Sequence, residues 1–126
     1  MNKKFAFALP LTLLFALAVI VSCKTSSYEK ISDGMIVHIP KTDSIAAQSI
    51  RLQVVTNSII HVTSVPGNDF PDEKSLMVLD TLTSRAAFSI AEKGDTVVLK
   101  TALLNAMVLT ATGQVIFTDT DGNVLL

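Results

Sequence analysis

Short apolar runs separated by turn residues recur along the chain from residue 35 onward, and this pattern most constrains the fold. Val, Ile and Thr make up 32 of the 104 residues from position 23 to the end. Their branched side chains favour strands over helices. No window of helical length shows a 3.6-residue apolar period with caps. The glycines lie between apolar runs, as turn glycines do; they are Gly34, Gly67, Gly94, Gly113 and Gly122. The pattern predicts an all-β fold.

Nine strands are expected, with polar or glycine-containing turns that close four hairpins. The predicted strands are 35–39, 50–56, 59–64, 75–80, 88–91, 96–100, 105–111, 114–118 and 123–126. Leu52 and Val54 alternate with polar residues and are expected to face a common core with Ile60 and Val62 across a turn at 57–58. Short strands with regular turns indicate an antiparallel β-sandwich or barrel.

The N-terminal segment has a different character. Lys3 and Lys4 precede 17 uncharged residues, 5–21, which is the layout of a secretory signal. The segment ends in Ile20-Val21-Ser22-Cys23 and resembles a bacterial lipobox, in which the cysteine thiol is acylated and the chain is cut before it. The chain has one cysteine, and it stands at that position. A plain cleaved signal and a retained membrane helix are the alternatives, although 17 residues are at the short limit for crossing a bilayer.

These observations predict three segments. Residues 1–22 are the lipoprotein signal peptide, 23–29 a polar tether, and 30–126 the β-sandwich domain. Lipidation at Cys23 would make the membrane a partner, with the protein anchored in the bacterial cell envelope on a periplasmic or outer-membrane face.

Composition excludes several function classes. A net charge of −1 offers no basic surface for nucleic acid. One cysteine excludes an intrachain disulfide, and one cysteine with two histidines argues against a zinc-type metal site. The length corresponds to one domain.

Two acidic clusters have ordinary structural explanations. Asp119, Asp121 and Asn123 resemble the start of a calcium loop, but the terminal bidentate carboxylate would fall beyond residue 126, so a hairpin turn is expected. A second cluster, at Asp69, Asp72 and Glu73, lies in a proline-bounded polar stretch, and a solvated loop is favoured over paired catalytic carboxylates.

The remaining polar candidates do not form a catalytic motif. His38 and His61 lie within predicted strands without a nucleophile motif, and Arg51 is expected to pair with a carboxylate on the polar face of its strand. Stacking on sugars requires exposed aromatic rings, and Phe70 is the one expected in a loop. We therefore predict no catalytic, cofactor-binding or metal-binding residue and no cofactor.

The segments together resemble the opening of glycoside hydrolase family 31 enzymes. The resemblance is to the α-xylosidase and α-glucosidase type found as lipoproteins in Bacteroides-like bacteria, and it covers about residues 28 to 126. It rests on a spread pattern in the following stretches: Tyr28-Glu29-Lys30, Asp33-Gly34-Met35-Ile36-Val37, Ile50-Arg51-Leu52-Gln53-Val54-Val55, Ile59-Ile60-His61-Val62-Thr63, Lys74-Ser75-Leu76-Met77-Val78, Thr112-Gly113-Gln114-Val115 and the stretch from Asp119 to Leu126.

The resemblance implies a role without catalysis in this chain. In that family the region begins an N-terminal β-sandwich of galactose-mutarotase-like form that packs on a (β/α)₈ barrel, and the barrel carries the catalytic carboxylates. The Asp-Met-x-Glu-like nucleophile motif does not occur here, so no catalytic residue carries over. The expected function is a non-catalytic N-terminal domain of an α-glycosidase, as a fragment that supports a missing barrel. The alternative is a stand-alone envelope lipoprotein that binds an oligosaccharide or a protein.

Overall fold

The computed structural model describes residues 26–42, 46–71 and 86–126, which form two four-stranded antiparallel sheets. The first sheet contains β1 (Tyr28–Ile31), β2 (Gly34–His38), β3 (Ser49–Thr56) and β4 (Ile59–Val65). The second contains β5 (Ser89–Lys93), β6 (Thr96–Lys100), β7 (Asn105–Leu109) and β8 (Val115–Thr118). In both sheets the spatial order of the strands follows the chain. The predicted all-β antiparallel sandwich is confirmed.

Three of the predicted hairpins are present. Asn57 and Ser58 connect β3 to β4, and the register passes through a bulge between Val54 and Thr56. The turns after β5 and β7 contain Gly94 and Gly113, whose φ angles of 58° and 73° are in the left-handed region that glycine enters without steric cost. No helix in the described ranges combines the length and hydropathy that crossing a bilayer requires.

Both ends of the predicted strand series differ from expectation. Residues 123–126 do not form a strand, and a single bridge joins Val124 to Thr118. Strand β1 was not predicted, and it begins at Tyr28, two residues before the domain boundary expected at residue 30. Its sequence, with two charged residues among four, has little strand character. Pairing with β2 along one edge therefore determines its conformation. The predicted strand 75–80 lies outside the described residues.

The core lies between the sheets, and alternate residues of the inner strands fill it. Leu52 and Val54 are buried, and their cross-strand partners Val62 and Ile60 pack against the same cluster, which confirms the expected shared face. Burying an aliphatic side chain contributes about 1.5–3 kcal/mol, so this cluster is the main source of stability. The other fully enclosed apolar residues are Met35, Val37, Val97, Leu99, Ala106 and Val108.

Two side-chain hydrogen bonds join the sheets at opposite ends of the sandwich. The Thr101 hydroxyl, after β6, lies within hydrogen-bond distance of the Asn57 carbonyl oxygen in the β3–β4 turn. At the other end, the Ser27 hydroxyl donates to the Glu92 carboxylate at 2.7 Å. Because successive side chains of a strand point to opposite faces, the first sheet has one face on the core and one face directed away from it.

Candidate functional site

Several predicted site residues lie outside the described residues or apart from one another. Cys23, Asp72 and Glu73 lie outside the described residues. Asp69 is exposed in the loop after β4, and His38 is exposed at the end of β2. Within residues 26–42, 46–71 and 86–126, no three side chains of the His, Cys, Asp and Glu types come together as a metal site requires.

The face of the first sheet that points away from the core carries several polar side chains, and we call it the outer face. Strand register places Arg51 of β3 directly between Ile36 of β2 and Thr63 of β4. In the next row Gln53 lies opposite His61. Neighbouring strands are about 4.8 Å apart and same-face residues about 7 Å apart along a strand. One guanidinium, one amide, one imidazole and one hydroxyl therefore share a compact surface.

The loop after β4 folds onto the outer face and brings an aromatic ring to Arg51. The Arg51 guanidinium carbon lies 4.7 Å from the centroid of the Phe70 ring, within the range of a cation–π contact. The loop is held in place by Ser49, whose side chain is fully buried and whose hydroxyl donates to the Asn68 side-chain oxygen at 2.7 Å. The expected carboxylate pairing of Arg51 stays a prediction, and the partner that the structure gives it is Phe70.

The second row of the outer face has its own acidic partner. Gln53 Nε2 donates to Asp33 Oδ2 at 2.8 Å, so the Asp33 carboxylate is directed at Gln53 in the row next to Arg51. His61, across from Gln53, is half-buried. The two rows of the outer face thus carry hydrogen-bond donors and acceptors on neighbouring strands.

The acidic cluster after β8 forms a turn, as the sequence predicted in preference to a calcium loop. Asp119 Oδ2 accepts from the Asn123 side-chain amide at 2.8 Å, and Oδ1 accepts from the backbone amides of Asn123 and Asp121. The Asn123 side-chain bond, followed by its backbone bond, lowers the pKa of Asp119 below the usual 3.8, because these donors stabilise the charged form. Both carboxylate oxygens thus serve the turn.

We expect Asp119→Ala to loosen the segment after β8 and leave the core intact. The substitution removes the acceptors of the Asn123 and Asp121 amides, so hydrogen exchange at Asn123 should accelerate. Because the folded pKa is lowered, the contribution of Asp119 is present above pH 3.8 and is lost as the pH falls through the lower folded value. Exposed Asp121 supplies the matched control, Asp121→Ala, and equal acceleration in both variants would contradict the assigned role.

The comparisons with known proteins include a similar solved structure. No family model matches the chain. The crystal structure of a GH31 alpha-xylosidase from Xanthomonas citri is similar, with a TM-score of 0.64 and 39% sequence identity over 78% of this chain. This similarity supports a GH31-like domain. The chain spans only 10% of the length of that enzyme, so the similarity concerns one part of a much longer protein.

The contact between Arg51 and Phe70 is a feature of the outer face that the sequence did not predict. Arg51 was correctly placed on the polar face, and Phe70 was correctly placed in a loop, but their contact was not expected. They are 19 positions apart, and only the reversal of the chain through β4 brings them together. The proline residues on either side of the loop, Pro66 and Pro71, were the available signal that the loop has a restricted conformation.

Proposed function

We propose that this chain provides a non-catalytic N-terminal β-sandwich domain of a family 31 α-glycosidase of the α-xylosidase or α-glucosidase type. The observation that carries the proposal is the similarity to a GH31 alpha-xylosidase at 39% identity, over most of this chain and a tenth of that enzyme. On this proposal the domain supports a catalytic barrel made by other residues, and it takes part in carbohydrate metabolism through that barrel.

The exposed residues after β8 support the proposal that the sandwich packs against a partner. Leu125 N donates to the Phe117 carbonyl and Phe117 N donates to the Leu126 carbonyl, both at 2.8 Å, so the segment lies along the edge of the second sheet. Its apolar side chains remain in solvent, with exposed fractions of 69% for Val124, 60% for Leu125 and 81% for Leu126. Contiguous exposed apolar residues typically mark contact surfaces, and on this proposal the barrel covers them.

The proposal is tested by complementation. The purified protein is mixed with the Xanthomonas citri alpha-xylosidase from which the matched tenth has been deleted. We expect a complex in size-exclusion chromatography and a higher melting temperature for this chain, because a partner that binds only the folded form stabilises it by mass action, by about 2.7 kcal/mol at a hundredfold excess over Kd.

Two leucines of nearly equal exposure, Leu125 and Leu103, provide the test variant and its control. Leu125→Asp should weaken the complex, since it places a charge within the proposed contact surface. Leu103→Asp, at a residue 61% exposed in the β6–β7 loop, should leave it unchanged. If no complex forms and the protein alone is a stable monomer, the proposal fails, and the stand-alone lipoprotein becomes the better explanation.

A lipid anchor at Cys23 is a further part of the proposal, and it rests on the lipobox-like residues 20–23. We expect mass spectrometry of the membrane fraction to find a diacyl or triacyl group on an N-terminal Cys23. Because the acyl chain requires the thiol, Cys23→Ala should abolish the modification, whereas Ser22→Ala keeps a small residue before the cysteine and should preserve it. Recovery of an unmodified protein with a different N-terminus would refute the anchor.

A further inference from the structure

Strands β1 and β5 lie at the same lateral edge of the sandwich, because each is an outermost strand of its sheet and side chains join the two. The Ser27 hydroxyl, one residue before β1, donates to the Glu92 carboxylate of β5 at 2.7 Å. Lys30 Nζ of β1 lies 5.5 Å from the centroid of the Phe88 ring, one residue before β5. We call this side of the sandwich the entry edge, since the chain enters the first sheet there.

The exposed apolar residues 124–126 lie at the opposite edge. Strand β8 is the outermost strand of the second sheet on the side away from β5. Leu125 N donates to the Phe117 carbonyl, so residues 124–126 run beside β8 and beyond it. Three spacings between neighbouring strands separate β5 from β8, and these residues add a fourth. At about 4.8 Å for each spacing, they lie about 19 Å from the entry edge.

The length of the chain keeps Cys23 on the side of the entry edge. Cys23 lies outside the described residues, but it stands four positions before Ser27. An extended chain spans at most about 3.6 Å per residue, so Cys23 lies within about 14 Å of Ser27 in any conformation of the intervening residues. The side-chain bond to Glu92 holds Ser27 at the entry edge. A group attached at Cys23 is therefore separated from residues 124–126 by the width of the second sheet.

We infer that this domain holds a membrane and a protein partner at the same time, on opposite edges of the sandwich. The membrane is attached through Cys23 at the entry edge, and the catalytic barrel covers residues 124–126 at the other edge. The identities of the anchor and of the barrel rest on the proposed function, whereas the separation of the two edges rests on the strand order and on the contact of Ser27. Anchoring therefore leaves the affinity for the barrel unchanged.

A bulky polymer placed at either edge tests the separation. Cys23 is the one cysteine of the chain, so maleimide-linked polyethylene glycol couples there alone. We expect the affinity of this conjugate for the deleted alpha-xylosidase to change by less than about twofold. The Cys23→Ser, Asp121→Cys double variant moves the same polymer to the exposed turn after β8. There it should weaken the complex by about tenfold or more, because it occludes residues 124–126, whereas the double variant without polymer should bind normally.

A second measurement follows the distance of each edge from the membrane without the partner. The full chain is coupled through the Cys23 thiol to a maleimide lipid in phosphatidylcholine nanodiscs that also contain a spin-labelled lipid, which broadens the NMR signals of nearby groups. We expect severalfold greater broadening for the backbone amide of Lys93, in β5, than for that of Leu125. Nanodiscs without the spin label give the reference intensities.

Three results would overturn the inference. The first is equal weakening of the complex by polymer at residues 23 and 121, and the second is unchanged affinity with polymer at residue 121. The third is equal broadening at Lys93 and Leu125, which would place both edges against the membrane. Failure of the unmodified chain to bind the deleted alpha-xylosidase would instead overturn the proposed function, and with it the barrel as the partner, while the broadening pattern still shows which edge faces the membrane.

Discussion

Gly34→Ala is expected to destabilise the protein by about 3 kcal/mol or more, the range of severe overpacking. A Cβ atom at this position would lie 1.8 Å from the Leu52 carbonyl oxygen and 2.9 Å from the Leu52 carbonyl carbon. Both atoms belong to the backbone of the central strand β3, so no rotamer change relieves the clash. Strands β2 and β3 would have to separate where Gly34 pairs with Gln53.

Chemical denaturation of the purified protein measures this effect, and Gly67→Ala is the matched control. A Cβ atom at Gly67 meets nothing within 4 Å, so its substitution should change the free energy of unfolding by no more than about 0.5 kcal/mol. Similar midpoints for the two variants would mean that β2 and β3 do not approach as closely as the structure has them.

Leu52→Asp should cost several kcal/mol, because it places a carboxylate in the apolar core. Leu52 is fully buried and packs across from Val62. Ile59→Asp makes a similar change in the same hairpin at a residue that is 48% exposed, and it should cost no more than about 1 kcal/mol. Denaturant unfolding measures both values, and equal losses would show that the β3–β4 register is shifted by one residue.

The strand pattern was largely predictable from local sequence. Alternation in β3 identified Leu52 and Val54 as core residues, because successive strand side chains point to opposite faces and only one face is apolar. The turn glycines Gly94 and Gly113 were predictable because their conformations favour glycine over other residues. Gly34 is required for a different reason: it is the first residue of β2, and the backbone of β3 approaches it too closely for a Cβ atom.

The candidate site was less predictable than the fold. Arg51 could be placed on a polar face from its neighbours, but the partner of a long side chain depends on which loop returns to that face. Phe70 reaches Arg51 because buried Ser49 bonds Asn68, and no local rule pairs those two residues. A charged residue on a strand also suggests an ion pair, and the pairing of Arg51 with a carboxylate stays a prediction.

The amino-acid sequence by itself determined the all-β class, the inward residues of β3 and β4, and three of the hairpin turns, since these depend on interactions between residues close in the chain. Only the tertiary structure decided that Tyr28–Ile31 forms an edge strand, that residues 123–126 remain outside a strand, and that Arg51 meets Phe70. Each of these outcomes depends on strands or loops that come together after the chain has folded, and the free energy of those contacts exceeds the weak local preferences of the residues involved.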